Sequence, residues 1–173
     1  MRVRAARPAD AGPLARVHVD TWRTAYSGIV APDYLAGLSY EARESQWDDI
    51  FLANQPATST FVAETADGEI VGFASGGPER QGDPTYLGEV YAVYVLQDHQ
   101  RSGVGRRLAV AVVEQLRRDG FTSMLLWVLE DNRPARRFYE SLGGEQVRQR
   151  TLTIEGTDLP ELSYGWKDIS SIT

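Results

Sequence analysis

The stretch HQRSGVGRRL occupies residues 99–108, and the rest of the fold can be worked out from it. A β-rich run, LGEVYAVYVL (87–96), precedes it, and apolar residues at helical spacing begin at Val104. Gly103 and Gly105 therefore stand where a strand passes into a helix. A helix N-terminus exposes unpaired N–H groups, and glycine lets an anion come close to the backbone. The pattern is typical of a phosphate-binding turn, although a plain glycine-rich connection explains the same spacing.

Further predicted elements surround this stretch on both sides. A second buried strand, TSMLLWVLE (122–130), follows the helix, so that residues 87–130 form a strand–helix–strand unit with parallel strands. The remaining predicted elements are a strand at 1–7, a helix capped by Asp10, a helix at 39–54 capped by Ser39 with Trp47, Ile50 and Phe51 on its apolar side, strands at 59–65 and 69–77, a helix at 133–144, and strands at 145–156 and 162–169. The segment SGIVAPDY (27–34) is expected to be a loop. This order predicts an α/β fold with a mixed sheet in one domain, 1–173.

The composition narrows the range of functions. The 173 residues carry a net charge of −6, which argues against nucleic-acid binding and favours a cationic small substrate. The absence of cysteine excludes disulfides, thiolate metal sites and a cysteine nucleophile. His18 is expected in the core, and two separated histidines with no acidic neighbours give no metal site. No apolar signal-peptide core and no run of about 20 apolar residues is present, so we expect a cytoplasmic protein without a membrane partner.

Two common phosphate-binding motifs do not match the glycine stretch. A P-loop requires G-x-x-x-x-G-K-[ST], and the sequence contains no such string. A dinucleotide-binding fingerprint requires a third glycine at the position of Leu108. A nucleotide-dependent oxidoreductase is therefore a rival interpretation with weak support.

A third motif does match. QRSGVG (100–105) resembles the R/Q-x-x-G-x-G/A signature of the GNAT N-acetyltransferase superfamily. The longer segment 91–116 resembles the cofactor-binding core of that family, and LEDNRPARRFYESLGG (129–144) resembles its downstream motif. Gly144 departs from the family, which usually carries Phe there, and this predicts looser packing under the last helix.

The resemblance implies a GNAT-type, mostly antiparallel sheet whose central parallel strands splay apart, flanked by about four helices. It also implies acetyl-CoA as acyl donor, with the backbone of Val93 and Val95 along the pantetheine arm and the N–H groups of residues 101–106 on the pyrophosphate. The cofactor-binding residues implied in this way are Val93, Tyr94, Val95, Gln100, Arg101, Ser102, Gly103, Val104, Gly105, Arg106 and Asn132.

The same resemblance assigns catalytic and acceptor roles. Tyr139 is the expected general acid at the sulfur, unless it is only packed on its helix. Glu89, an isolated acid in an apolar run, is the expected base, directly or through water, unless it faces solvent. Trp22 and Tyr26 lie four residues apart on one helix face and form an expected acceptor wall, with core packing as the alternative. Trp127 is expected in the core.

The expected function is transfer of an acetyl group from acetyl-CoA to a primary amine of a small cationic molecule. Polyamine-, aminoglycoside- and amino-acid-like acceptors all stay open, because a fold does not select its substrate. The alternatives are acetylation of a protein N-terminus or lysine, and a non-catalytic acyl-CoA-binding regulatory module. The resemblance also makes a homodimer an expectation.

Overall fold

The computed structural model describes residues 1–173 and contains one seven-stranded sheet with helices on both faces. The strands are β1 (Arg2–Ala5), β2 (Ser59–Glu64), β3 (Ile70–Pro78), β4 (Gly88–Val95), β5 (Met124–Leu129), β6 (Glu145–Ile154) and β7 (Thr157–Trp166). The α-helices are α1 (Ala11–Ala25), α2 (Pro32–Gly37), α3 (Tyr40–Ala53), α4 (Val104–Arg118) and α5 (Arg133–Ser141). The strand order is β1-β2-β3-β4-β5-β7-β6, and only the β4–β5 pair is parallel. The predicted mixed α/β fold is confirmed.

The helices divide the sheet into a front and a back face. On the back, α4 presents Val104, Leu108, Val112 and Leu116, which recur every fourth residue and are all fully buried. Each such side chain contributes roughly 1.5–3 kcal/mol through burial. On the front, α1 and α3 pack against β2 and β3 through a second cluster that contains Trp47. The parallel pair and its crossover helix α4 thus form the centre of the molecule.

The central strands separate after a short paired stretch. The register joins Gly88–Val90 to Met124–Leu126, and beyond it β4 pairs only with β3 while β5 pairs only with β7. A β-bulge lies at the same level, where the register between β3 and β4 shifts beside Gly76. A slot therefore opens between β4 and β5 toward the start of α4, which confirms the predicted splay.

Three local predictions about the helices are wrong. The short helix α2 lies partly inside the expected loop, because Pro32 begins the helix at a position where no N–H is needed. Asp10 does not cap α1; its carboxylate accepts the Arg7 N–H at 2.8 Å and pairs with Arg4 at 2.7 Å. Ile50 is 48% exposed and takes no part in the apolar side of α3.

The cap of α3 is confirmed, since Ser39 Oγ accepts the Ala42 N–H at 3.1 Å. The looser packing expected at Gly144 is not found. A Cβ at Gly144 would lie 2.6 Å from Cζ2 of Trp166, so the indole ring occupies the space of a larger side chain. Trp166 is buried and its Nε1 donates to the Leu142 carbonyl at 2.9 Å.

No helix of the structure has both the length and the apolar character that crossing a bilayer requires.

Candidate active site

The backbone of β4 lines one wall of the slot. The Leu96 N–H donates to the Val71 carbonyl of β3 at 2.9 Å. The direction of the backbone N–H and C=O groups alternates along a strand. The backbone groups of Tyr94 therefore also point to β3, whereas those of Val93 and Val95 point into the slot. The Val95 carbonyl accepts the Gln100 side-chain amide at 3.0 Å, which ties the following loop to the strand. The remaining backbone groups of Val93 and Val95 form an unpaired extended edge.

The loop at the mouth of the slot presents a row of free N–H groups. None of the N–H groups of residues 101–106 donates to a backbone or side-chain acceptor of the protein. Arg101 and Gly103 take positive φ values of 56° and 80°, which turns successive N–H groups toward one side. With the N-terminus of the 15-residue helix α4 behind them, these groups can hold an anion such as a pyrophosphate.

The two glycines of this loop serve different purposes. Position 103 requires glycine because its backbone is left-handed, with a φ of +80°. Space is not the reason, since a Cβ there would meet nothing within 4 Å. Gly105 has ordinary backbone angles, and a Cβ there would lie 3.6 Å from the Phe138 ring of α5. The first glycine therefore shapes the anion site, and the second permits close packing of α4 against α5.

Helix α5 positions Asn132 at its N-cap and carries Tyr139 in its second turn. Asn132 Oδ1 caps the helix by accepting the Ala135 N–H at 3.3 Å, and its amide nitrogen has no partner in the protein and is available to a ligand. Tyr139 is 8% exposed, and burial raises the pKa of its hydroxyl, with a further contribution from Tyr94. The Tyr139 hydroxyl therefore keeps its proton at neutral pH and can donate it.

The predicted acceptor wall is assembled from two elements. Trp22 and Tyr26 of α1 contact edge to face, with ring centroids 4.7 Å apart. Trp22 Nε1 donates to the Tyr94 hydroxyl of β4 at 3.1 Å. Burial raises the pKa values of both Tyr26 and Tyr94, and the charge of Glu161 adds to each rise. The structure thus brings Trp22 and Tyr26, the predicted acceptor wall, into contact with Tyr94, which was predicted to bind the cofactor.

Glu89 lies at the closed end of the slot, where β4 still pairs with Leu125 of β5. It is 2% exposed, so the alternative that it faces solvent is wrong. Arg80 engages both carboxylate oxygens: Nε donates to Oε2 at 3.0 Å, the Arg80 N–H donates to Oε2 at 3.2 Å, and Nη2 donates to Oε1. Arg80 therefore occupies both acceptor positions of Oε2 and one of Oε1, and the second lone pair of Oε1 has no donor from the protein.

A further polar cluster near the slot was not anticipated from the sequence. Arg150 of β6 donates from Nε to Glu161 Oε2 of β7 at 2.6 Å, and its guanidinium lies 4.0 Å from the Trp127 ring centroid. Trp127 is partly exposed beneath Arg150 and does not lie in the main core. Glu161 was missed because the predicted strand begins at 162, whereas β7 begins at Thr157 and includes Glu161.

The family profile and the similar sequences both point to N-acetyltransferases. Residues 20–144 match the sequence profile described as the Acetyltransferase (GNAT) family. The uncharacterized N-acetyltransferase YuaI of Bacillus subtilis is 41% identical over 170 residues, which cover 98% of this chain and 95% of YuaI. A mycothiol acetyltransferase of Saccharomonospora viridis is 35% identical over 122 residues, which cover 68% of this chain and 37% of that protein.

Solved structures share the fold at low sequence identity. The ribosomal-protein-alanine N-acetyltransferase from Brucella melitensis superposes with a TM-score of 0.74 at 24% identity, covering 96% of this chain and 99% of that chain. The PaiA N-acetyltransferase from Thermoplasma acidophilum, in complex with coenzyme A, superposes with a TM-score of 0.72 at 17% identity, covering 95% and 98%.

Proposed function

The chain belongs to the acetyltransferase (GNAT) family, and on that premise we propose that it transfers an acetyl group from acetyl-CoA to the nitrogen of a small amine. One observation carries the proposal. The slot between β4 and β5 has an unpaired extended backbone edge along its length and a row of free N–H groups at its mouth. An amide-bearing arm with a pyrophosphate at one end fits both features.

The residues that hold the donor follow from this fit. The backbone groups of Val93 and Val95 pair with the amides of the pantetheine arm as an added strand would. The N–H groups of residues 101–106 hold the pyrophosphate, and the free amide nitrogen of Asn132 contacts the arm from the opposite side. Gln100 positions the loop through its hydrogen bond to Val95.

Acetyl-CoA supplies, when bound, a thioester whose acetyl carbon is transferred to the amine nitrogen. Tyr139 then gives its hydroxyl proton to the departing sulfur, and a proton from solvent restores the hydroxyl before the next turnover. A backbone N–H near Val93 donates to the acetyl oxygen as negative charge develops on it. Both groups lie on elements fixed by the core, so they are oriented before the reaction begins.

The acceptor amine must lose a proton before it can attack, because an alkylamine with a pKa of about 10 is protonated at neutral pH. We assign this proton to Glu89, acting through water from the closed end of the slot. The free lone pair of Oε1 takes the proton, and Arg80 keeps its hydrogen bonds to the carboxylate. The wall of Trp22, Tyr26 and Tyr94 receives the amine, because aromatic faces attract a cation and exclude water.

Free-thiol release tests the proposal directly. The protein is mixed with acetyl-CoA and a panel of amines, and the thiol is followed with a colorimetric reagent. Because the chain contains no cysteine, every thiol detected comes from the donor. We expect release with small amines, together with an acetylated product by mass spectrometry. Thiol release that does not depend on any amine, or no release with small amines alongside release with peptides, would contradict it.

A further inference from the structure

Arg150 is held in a fixed orientation beside the acceptor wall. Its Nε donates to Glu161, which is 8% exposed, and its guanidinium plane covers the Trp127 ring. Neither Nη1 nor Nη2 donates to any group of the protein, although the side chain is only 29% exposed. A guanidinium anchored at Nε and stacked on an indole presents its two terminal nitrogens outward as a preorganised fork.

Two further hydrogen-bonding groups lie beside this fork without partners. Trp127 Nε1 and Ser163 Oγ are both buried and make no hydrogen bond within the protein. Trp127 and Ser163 face each other in the β5–β7 register, so their side chains share the front face of the sheet. The indole N–H and the free nitrogens of Arg150 can act only as hydrogen-bond donors. Because the Trp127 and Ser163 atoms are buried, the donors that a ligand can reach are the two terminal nitrogens of Arg150, and these match a negatively charged group with paired acceptors.

The cluster adjoins the place where the amine is received. Glu161 pairs with Leu129 in the β5–β7 register, and Leu129 belongs to the small cluster against which Trp22 and Tyr26 pack. The charge of Glu161 also contributes to the raised pKa values of Tyr26 and Tyr94. The fork therefore lies next to the cluster that carries the aromatic wall, on the same face of the sheet.

We propose that Arg150 binds a carboxylate of the acceptor, so that the acceptor is an amino-acid-like molecule carrying an amine and a carboxylate. This inference rests on the proposed acetyl transfer and narrows its substrate class. Glu161 and Trp127 act as positioning residues that hold the guanidinium fork. Polyamines and aminoglycosides carry no carboxylate, and on this account they are poor acceptors despite their positive charge.

Matched acceptors test the inference. Amino acids are compared with their carboxamides, which keep the amine and lose the anionic charge, and the rates are expressed per concentration of neutral amine. We expect the acids to have KM values lower by roughly 10- to 100-fold, as charge-assisted bidentate hydrogen bonds predict. Equal KM values for acids and carboxamides would overturn the inference and leave the acetyl transfer standing. No transfer to any amine would overturn both.

Three variants connect that preference to Arg150. Arg150→Lys keeps the positive charge beside Glu161 but loses the fork, and the double variant R150Q/E161Q leaves no unpaired buried carboxylate. We expect both to raise KM for the acids by at least about 10-fold, with carboxamide KM changed by less than about twofold. The control is Arg148→Gln, which removes another β6 arginine, paired with Asp83, and should change neither KM. Equal effects of all three variants would overturn the assignment.

Discussion

His18 makes the stability of the folded protein sensitive to acid. Its ring lies between Trp22, Phe73 and Tyr94, with centroid distances of 5.8, 6.1 and 5.1 Å, and neither ring nitrogen has a hydrogen-bond partner. Burial lowers the pKa of His18 from 6.5 to about 3, with a smaller contribution from the Arg43 charge. The sequence-based expectation of a core histidine agrees with this packing, but the ring has none of the hydrogen bonds that usually accompany burial.

The direction of the pH effect follows from the two pKa values. Between pH 6.5 and about 3 the unfolded chain binds a proton at His18 and the folded chain does not. The stabilising contribution of the neutral ring is therefore complete above pH 6.5 and is lost as the pH falls through this window. The slope approaches about 1.4 kcal/mol per pH unit, which gives a loss of about 2 kcal/mol between pH 7 and pH 5.

The substitution His18→Phe keeps an aromatic ring in the same packing and removes the titration. We expect the wild type to lose about 2 kcal/mol more of its free energy of unfolding than this variant does when the pH is lowered from 7 to 5, as measured by urea titration. Comparison at each pH cancels the contribution of the carboxylates that both proteins share. A difference between the two proteins that stays constant within about 0.5 kcal/mol over this range would refute the reasoning.

The remaining predictions concern catalysis and packing. Tyr139→Phe should lower kcat by roughly 10²- to 10⁴-fold while the Kd for CoA stays unchanged, and an unchanged kcat would rule Tyr139 out as the acid. Glu89→Gln should lower kcat similarly at neutral pH, with partial recovery as the pH rises and more amine becomes neutral; loss of CoA binding instead would indicate a structural role. Gly144→Ala should destabilise the protein by about 1–3 kcal/mol through overpacking against Trp166, visible as a lower Tm, whereas an unchanged Tm would show that the indole can move.

The central unit of the fold was predictable because its signals are local. The β-rich run before Gly103 and the regular stripe from Val104 to Leu116 depend only on residue spacing. The downstream motif placed Tyr139 on a helix for the same reason. These elements lie where the sequence indicates them, with differences of one to three residues at their ends.

The ion pairs of the site were not predictable because they depend on register and on loop conformation. Glu89 was identifiable as an unusual acid, but its partner Arg80 lies in a loop whose path no local pattern specifies. Arg150 and Glu161 meet only because β6 and β7 pair in one register, and a shift of one residue would place them on opposite faces. Likewise, Trp166 fills the space at Gly144 through a contact 22 positions away, which periodicity cannot show.

Calorimetric titration of CoA and of pantetheine, which lacks the pyrophosphate, tests the central claim most directly. The account predicts that the wild type binds CoA in the slot, and that Gly103→Val weakens CoA by at least about 10-fold while pantetheine affinity is unchanged. The reason is that a branched residue cannot adopt the φ of +80° that exposes the N–H groups. No binding of CoA by the wild type, or equal loss of both ligands in the variant, would contradict the account.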